Sequence, residues 1–210
     1  MLFSCYSITK VNCYMKKILI LSSILFFRLN ILLIILFIHS KAMAYEEPSF
    51  NIVHKTDVYE IRKYGDRLVV QANYTNQNSS FRNLFNYISG SNKQTEKIKM
   101  TVPVTQFEES SEMVMQFFLP SKFTKNTAPA PTDPRVKLIT IEGGYYAVIK
   151  YSGRVTDKNF NKYLKILKEN LISDNIEIIG PAIKAIYNGP FTLPIFRRNE
   201  AMFLIDWKKL

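Results

Sequence analysis

Residues 58–74 read VYEIRKYGDRLVVQANY. Val58–Tyr64 alternates apolar and polar side chains, Gly65-Asp66 interrupts, and Leu68–Tyr74 resumes an apolar-rich run. A period of two marks a half-buried strand, and a Gly-containing pair between two such runs predicts a β-hairpin. Downstream, Ser79 or Ser80 is placed to cap a helix on which Phe81, Leu84, Phe85 and Ile88 share a face at i, i+3, i+4 and i+7. Gly90 is placed to end it. Met100–Phe107 and Met113–Leu119 read as two more strands.

The same order then recurs. Val136–Glu142 and Tyr145–Ser152 flank Gly143-Gly144, again a hairpin signature. Thr156 or Asp157 caps a second helix with Phe160, Tyr163, Leu164, Leu167 and Leu171 as its apolar stripe; Lys158, Lys162 and Lys165 lie off that stripe. Ala182–Tyr187 and Ala201–Trp207 supply the last strands, and the proline-bearing stretch Ser121–Pro134 is a stiff connector between the halves. The expected fold class is α+β: a duplicated strand-strand-helix-strand-strand unit forming a distorted antiparallel β-barrel, with two sheets and a flanking helix outside each.

The segment before this repeat is different. Residues 15–44 begin Met15-Lys16-Lys17, continue through apolar runs at 18–27 and 31–38, and end Ala42-Met43-Ala44. A basic start, an apolar middle and an A-x-A end predict a secretory signal peptide, with Met15 as the expected start of translation. Residues 18–38 are also long enough for a membrane anchor, although Arg28 and Asn30 fall near the middle. The expected organisation is therefore residues 1–44 as extension plus signal peptide or anchor, and 45–210 as one domain, periplasmic or secreted in a bacterial cell.

The whole chain has a formal net charge of +11, but residues 1–44 hold five cations and no acid. The remaining 166 residues carry 23 basic and 17 acidic side chains, a net of +6. Nucleic-acid binding is not expected, because no motif accompanies the modest charge. An apolar share of 47% against 21% charged excludes a disordered chain. Both cysteines, Cys5 and Cys13, precede residue 45, and His54 is the one histidine after it. A Cys–His pair is thus excluded from the domain, and no G-x-S-x-G, H-E-x-x-H, G-x-x-x-x-G-K-[ST] or G-x-G-x-x-G is present. Glu108-Glu109 falls in an expected strand-to-strand turn, where a solvated role is the ordinary one. Enzymatic function is not expected. A Lys-studded loop, Lys93, Lys97 and Lys99, leads into Met100-Thr101-Val102-Pro103-Val104. An apolar groove with a basic rim would suit an amphipathic acid. The plainer alternative is a solvated loop before an edge strand guarded by Pro103.

Six elements carry a resemblance: YEIRKY at 59–64, FNYISGSN at 85–92, KIKMTVPV at 97–104, MQFFLP at 115–120, APAPTD at 128–133 and FRRNE at 196–200. In this order and spacing the chain resembles the SOUL haem-binding protein family from Tyr59 to Trp207. The resemblance implies the duplicated strand–helix barrel, similar to the effector-binding domains of bacterial regulators. It also implies a tetrapyrrole ligand, haem or another porphyrin, carried rather than transformed. On that basis Arg82, Phe85, Lys93, Lys97, Lys99 and Met100 are the candidate binding residues: cations for propionates, Phe85 for the ring, and Met100 as a weak thioether ligand, its plainer alternative being a gap-filler at a strand start. Leu84 and Ile88 share the helix face but are expected in the core. His54 is a low-ranking candidate axial ligand, and the metal ligand otherwise stays open. Within Arg197-Arg198-Asn199-Glu200, Arg198 or Asn199 is expected to satisfy backbone groups where the loop re-enters the sheet. The alternatives are a binding module for another amphipathic small molecule and a hydrolase using a carboxylate base.

Overall fold

The computed structural model describes residues 22–23, 25–28, 30–31, 45–74 and 77–207. The chain divides into two compact units, residues 1–44 and 45–210. In the first, the described residues between Ser22 and Ile31 are helical. Both cysteines, the Ala42–Ala44 motif and most of the apolar run lie outside the described residues. Among the described residues no helix is long and apolar enough to cross a membrane.

The second unit runs β1 (Phe50–Lys55), β2 (Glu60–Tyr64), β3 (Arg67–Tyr74), α1 (Gln77–Ile88), β4 (Val104–Glu109), β5 (Glu112–Phe118), β6 (Lys137–Ile141), β7 (Gly144–Tyr151), α2 (Asp157–Ser173), β8 (Glu177–Ile186) and β9 (Asn199–Asp206). All strands join one antiparallel sheet in the order β1-β2-β7-β9-β8-β4-β5-β3-β6. The sheet stays open, with β1 and β6 as its ends, so the expected two-sheet barrel becomes a single sheet. β1 extends it by a strand that the alternation starting at Val58 did not include.

The duplication lies in the topology. Without β1, the order β2-β7-β9-β8-β4-β5-β3-β6 is palindromic: exchanging β2 with β6, β3 with β7, β4 with β8 and β5 with β9 returns it reversed. Neither expected hairpin forms. β2 pairs with β7, and β3 with β6, so each half's first strand pairs with the other half's second. β3 has no free edge for β2, because β5 and β6 occupy both sides. The two glycine links lie against one another instead. The Gly143 N–H donates to the Asp66 carboxylate at 2.8 Å. A Cβ on Gly143 would stand 2.9 Å from the Tyr64 carbonyl oxygen.

Each helix covers its own half on one face of the sheet. α1 packs on β3 and β5 through Leu84, Tyr87 and Ile88 against Val70, Met115 and Phe117. α2 packs on β7, β8 and β9 through Phe160, Leu167 and Leu171 against Ala147 and Phe203. Leu84 and Ile88 are therefore core, as expected. Thr156 caps α2, its hydroxyl accepting from the Asn159 N–H at 3.2 Å. Ser79 and Ser80 lie inside α1 rather than before it, and the Ser80 hydroxyl donates to the Asn73 carbonyl. Gly90, at φ +112°, follows α1 in a conformation that disfavours other residues. The strand expected from Met100 begins at Val104, and β4 is central, between β8 and β5. Pro103 thus guards no edge; it sits one residue ahead of the ladder, where its missing N–H costs no bond. Glu108 and Glu109 end β4, and the turn is Ser110-Ser111, both at positive φ.

Candidate functional site

α1 has two working faces. Leu84, Tyr87 and Ile88 are buried, whereas Phe81 and Phe85, one turn apart on the flank, are 43% and 49% exposed. Their rings stack with centroids 6.1 Å apart, and Phe81 also meets the Phe117 ring edge-on at 5.2 Å. They form one wall of a groove of about 480 Å³. Its floor is Met100, Val102, Val104 and Gln106, the segment entering β4, with the Gln106 amide oxygen held by Gln77 at 3.0 Å. The facing wall is the end of β8 and the following loop, Ile186 to Pro190, joined by Val155, and Tyr45 closes one side. Among the described residues Arg197 is the single charged residue in the lining, and no aspartate, glutamate or histidine of them lines it.

The Arg197 guanidinium is positioned by the loop's own backbone: Nε donates to the Thr192 carbonyl at 2.8 Å and Nη2 to the Pro190 carbonyl at 2.6 Å. Among the described residues it has no carboxylate partner. The next residue behaves differently. Arg198 grips both oxygens of Glu47 at 2.8 and 2.9 Å, donates to Glu200 at 3.0 Å, and stacks on the Tyr187 ring at 3.7 Å.

Arg198 belongs to a closed charge cluster on the sheet face opposite the helices. Arg62 and Glu200 are wholly buried there and share two bonds of 2.8 and 2.9 Å. Arg62 also donates to Glu60 at 2.6 Å, and Glu200 accepts from the Tyr187 hydroxyl at 2.8 Å. Burial alone would raise the Glu200 carboxyl; bonds to Arg62, together with the charges of Arg62 and Arg198, hold it below the usual carboxylate range. Burial in the same cluster pushes the Tyr187 hydroxyl up, reinforced by Glu200. Glu200 is thus an ionised, fully partnered acceptor; the cavity against Tyr64 and Tyr187 measures only about 30 Å³, and an open hollow of about 550 Å³ lies at the cluster's edge, against Glu47, Lys150 and Arg198. The cluster holds the sheet together and leaves no free base.

The structure brings Phe85 and Met100 together in the groove. Arg82, Lys93, Lys97 and Lys99 are exposed and do not line it. The loop after α1 explains this. Asn92 is buried and ties the Tyr87 carbonyl, the Glu96 carbonyl and the Glu96 N–H, and the Ile98 N–H returns to the Ile88 carbonyl. With Ile98 in the core, Lys97 and Lys99 on either side of it face solvent. His54 sits exposed on β1, 5.4 Å from the Trp207 ring, and is likewise absent from the groove. Asn199 does meet a backbone group, donating to the Gly153 carbonyl, while Arg197 rather than Arg198 serves the loop carbonyls. Tyr45 and Tyr187 are among the tyrosines whose rings could meet a flat ligand, and Arg197 opens a stretch that could clamp an anion, but a structural role is the ordinary expectation for each; Phe81, Ile186 and residues 188–190 are not expected at a site. The signal for the facing wall is the aperiodic apolar run GPFTLPIF at 189–196, which fits neither a strand nor a helix, and Phe81 is legible as a member of the α1 apolar face.

The arrangement resembles several solved structures. A hydrolase from Listeria innocua matches with TM-score 0.53 at 8% identity, covering 73% of this chain and 94% of that one. The EcmrR C-terminal domain matches with TM-score 0.53 at 10% identity, covering 70% and 96%. At such identities the likeness is one of fold alone. A comparison with curated proteins returns no match. The family model described as SOUL heme-binding protein matches residues 45–204, the whole sheet but for the last two residues of β9 and both of its helices. On that match, the chain belongs to the SOUL heme-binding protein family.

Proposed function

We propose that this protein is an exported, non-enzymatic carrier or buffer of a tetrapyrrole, held in the groove between α1 and the β8–β9 loop. One observation carries the reading: an apolar groove of ligand size contains a single cation, Arg197, that has no carboxylate partner among the described residues. Phe81, Phe85, Met100 and Ile186 would take the flat apolar ring. Arg197 would accept one carboxylate in a charge-assisted hydrogen bond. The residues suit a porphyrin's edge better than its metal, since among the described residues Met100 is the one soft donor in the lining and no histidine lines the groove. Haem bound here would supply the iron; this chain's residues would supply the shape and the counter-charge. The absence of any acid from the lining disfavours a hydrolase with a carboxylate base. The basic and apolar run of residues 15–44 supports export.

Titration of the full chain with haem tests the reading. A saturable shift of the Soret band at micromolar haem is expected, with protoporphyrin lacking iron binding comparably. No saturable shift for either compound would sink the tetrapyrrole reading and leave a groove for some other amphipathic molecule.

A further inference from the structure

The connection from β8 to β9, residues 187–198, reads YNGPFTLPIFRR and contains no acid. Its large apolar side chains stand in solvent: Phe191 is 99% exposed, Ile195 73%, Phe196 70% and Leu193 62%. Single exposed apolar residues are ordinary, but this many on one loop mark a surface that is covered in use.

The loop is also braced from within. The Thr192 N–H donates to the Gly189 carbonyl, Phe196 to Leu193, Arg197 to Pro194, and Gly153 to Pro194, all at 2.9 to 3.2 Å. The Arg197 side chain holds the Pro190 and Thr192 carbonyls. With the carbonyls of Gly189, Pro190, Thr192, Leu193 and Pro194 already accepting, the loop gives up fewer hydrogen bonds to water, which lowers the cost of resting in an interfacial layer.

We propose that this loop docks the protein on an anionic lipid bilayer, with Phe191, Leu193, Ile195 and Phe196 sunk into the headgroup–acyl boundary and the groove opening onto the lipid. Lipid is favoured over a protein partner on three grounds. Phe191 touches almost nothing of its own protein, so a rigid partner would need a matching pocket, whereas a fluid interface would not. The loop holds no acid, Arg197 in it has no carboxylate partner among the described residues, Arg154 beside it is exposed, and the domain has a net charge of +6, although Arg198 is already neutralised by Glu47 and Glu200. Tyr45, which lines the groove, is joined directly in sequence to the segment that contains the apolar run of residues 18–38. The proposal goes beyond the tetrapyrrole reading and stands whatever the groove holds.

Trp207 is the one tryptophan of the chain and lies just past the far end of β9 from the loop, roughly 26 Å away along the strand. The full chain and its Phe191→Trp variant are mixed with phosphatidylglycerol–phosphatidylcholine vesicles whose acyl chains carry bromine. The variant's added emission is expected to shift blue and to fall by about half or more, because bromine and indole share a layer some 5–10 Å deep. Trp207 emission in the unmodified chain should stay unquenched, so that quenching confined to the added indole marks insertion of the loop; attachment through residues 18–38 alone would leave both indoles unquenched. An added indole that remains unquenched overturns the proposal. A blue shift that needs no lipid and grows with protein concentration assigns the loop to self-association instead. Equal quenching in vesicles of phosphatidylcholine alone overturns the assignment to anionic lipid.

Discussion

Arg62 and Glu200 lie at 0% side-chain exposure with two hydrogen bonds between them. Removing one partner of such a buried pair typically costs about 3–5 kcal/mol, because the other charge is left uncompensated. Glu200→Gln should therefore lower the urea midpoint sharply, and Arg62→Met should do so more, since Glu60 also loses a partner and keeps only Lys150 at 3.1 Å. The same pair sets an acid limit. Burial would raise the Glu60 and Glu200 carboxyls, but Lys150, Arg62 and Arg198 hold both below their usual range. Their stabilising contribution is fully present above the unfolded glutamate pKa of about 4.3 and is lost as pH falls through the lower folded values. Denaturant midpoints measured as the solution is acidified should fall in that window, and the fall should be shallower in Glu200→Gln. Arg197 makes the opposite case, since it contributes little to the core. Arg197→Gln should weaken porphyrin binding about tenfold or more, the effect of one charge-assisted bond of about 1.5–3 kcal/mol. A porphyrin dimethyl ester, lacking the carboxylates, should bind both forms alike.

α1 separates packing from binding along one helix. Leu84 is at 0% exposure, and Leu84→Ala should cost about 2–5 kcal/mol of stability. Phe85, one residue on, is half exposed and lines the groove. Phe85→Ser should leave stability within about 0.5 kcal/mol, as for most surface changes, while weakening ligand binding. Denaturation and titration of both variants would reverse the assignment if Phe85→Ser unfolded the protein as Leu84→Ala does. The crossing of the two glycine links is a second feature at this scale. The new Cβ of Gly143→Ala meets backbone at 2.9 Å, which cannot swing aside, so a loss of about 1–3 kcal/mol is expected. Asp66→Ala removes only the hydrogen bond to Gly143 and should cost about 1 kcal/mol.

At the scale of the molecule, the palindromic sheet ties the halves together. β2 needs β7, β3 needs β6, and β4 pairs with β8 across the centre. Residues 45–120 alone would hold β2 without either neighbour in its own half except β1, and β3 without β6. Each half expressed separately should be largely unstructured by circular dichroism, whereas the intact domain should unfold in one cooperative transition. A folded, stable half would contradict this topology.

Periodicity along the chain determined the local elements: the alternation of Val58–Tyr64, the stripe of Phe160, Leu167 and Leu171, the cap at Thr156 and the repeat of the whole order. Those features are legible because each depends on neighbours within a few residues. The sequence also carried the family, through short motifs in order, and singled out Phe85 and Met100, which the structure brings together in the groove. Strand partners, by contrast, were decided only in three dimensions. A two-residue glycine link is compatible with a hairpin or with a crossing, and the choice depends on whether β5 and β6 already occupy both edges of β3. The groove's cation was decided in the same way. Lysines near Met100 in sequence turned outward around Ile98, while Arg197, about a hundred residues distant, came to the lining because the β8–β9 loop forms the groove wall facing α1.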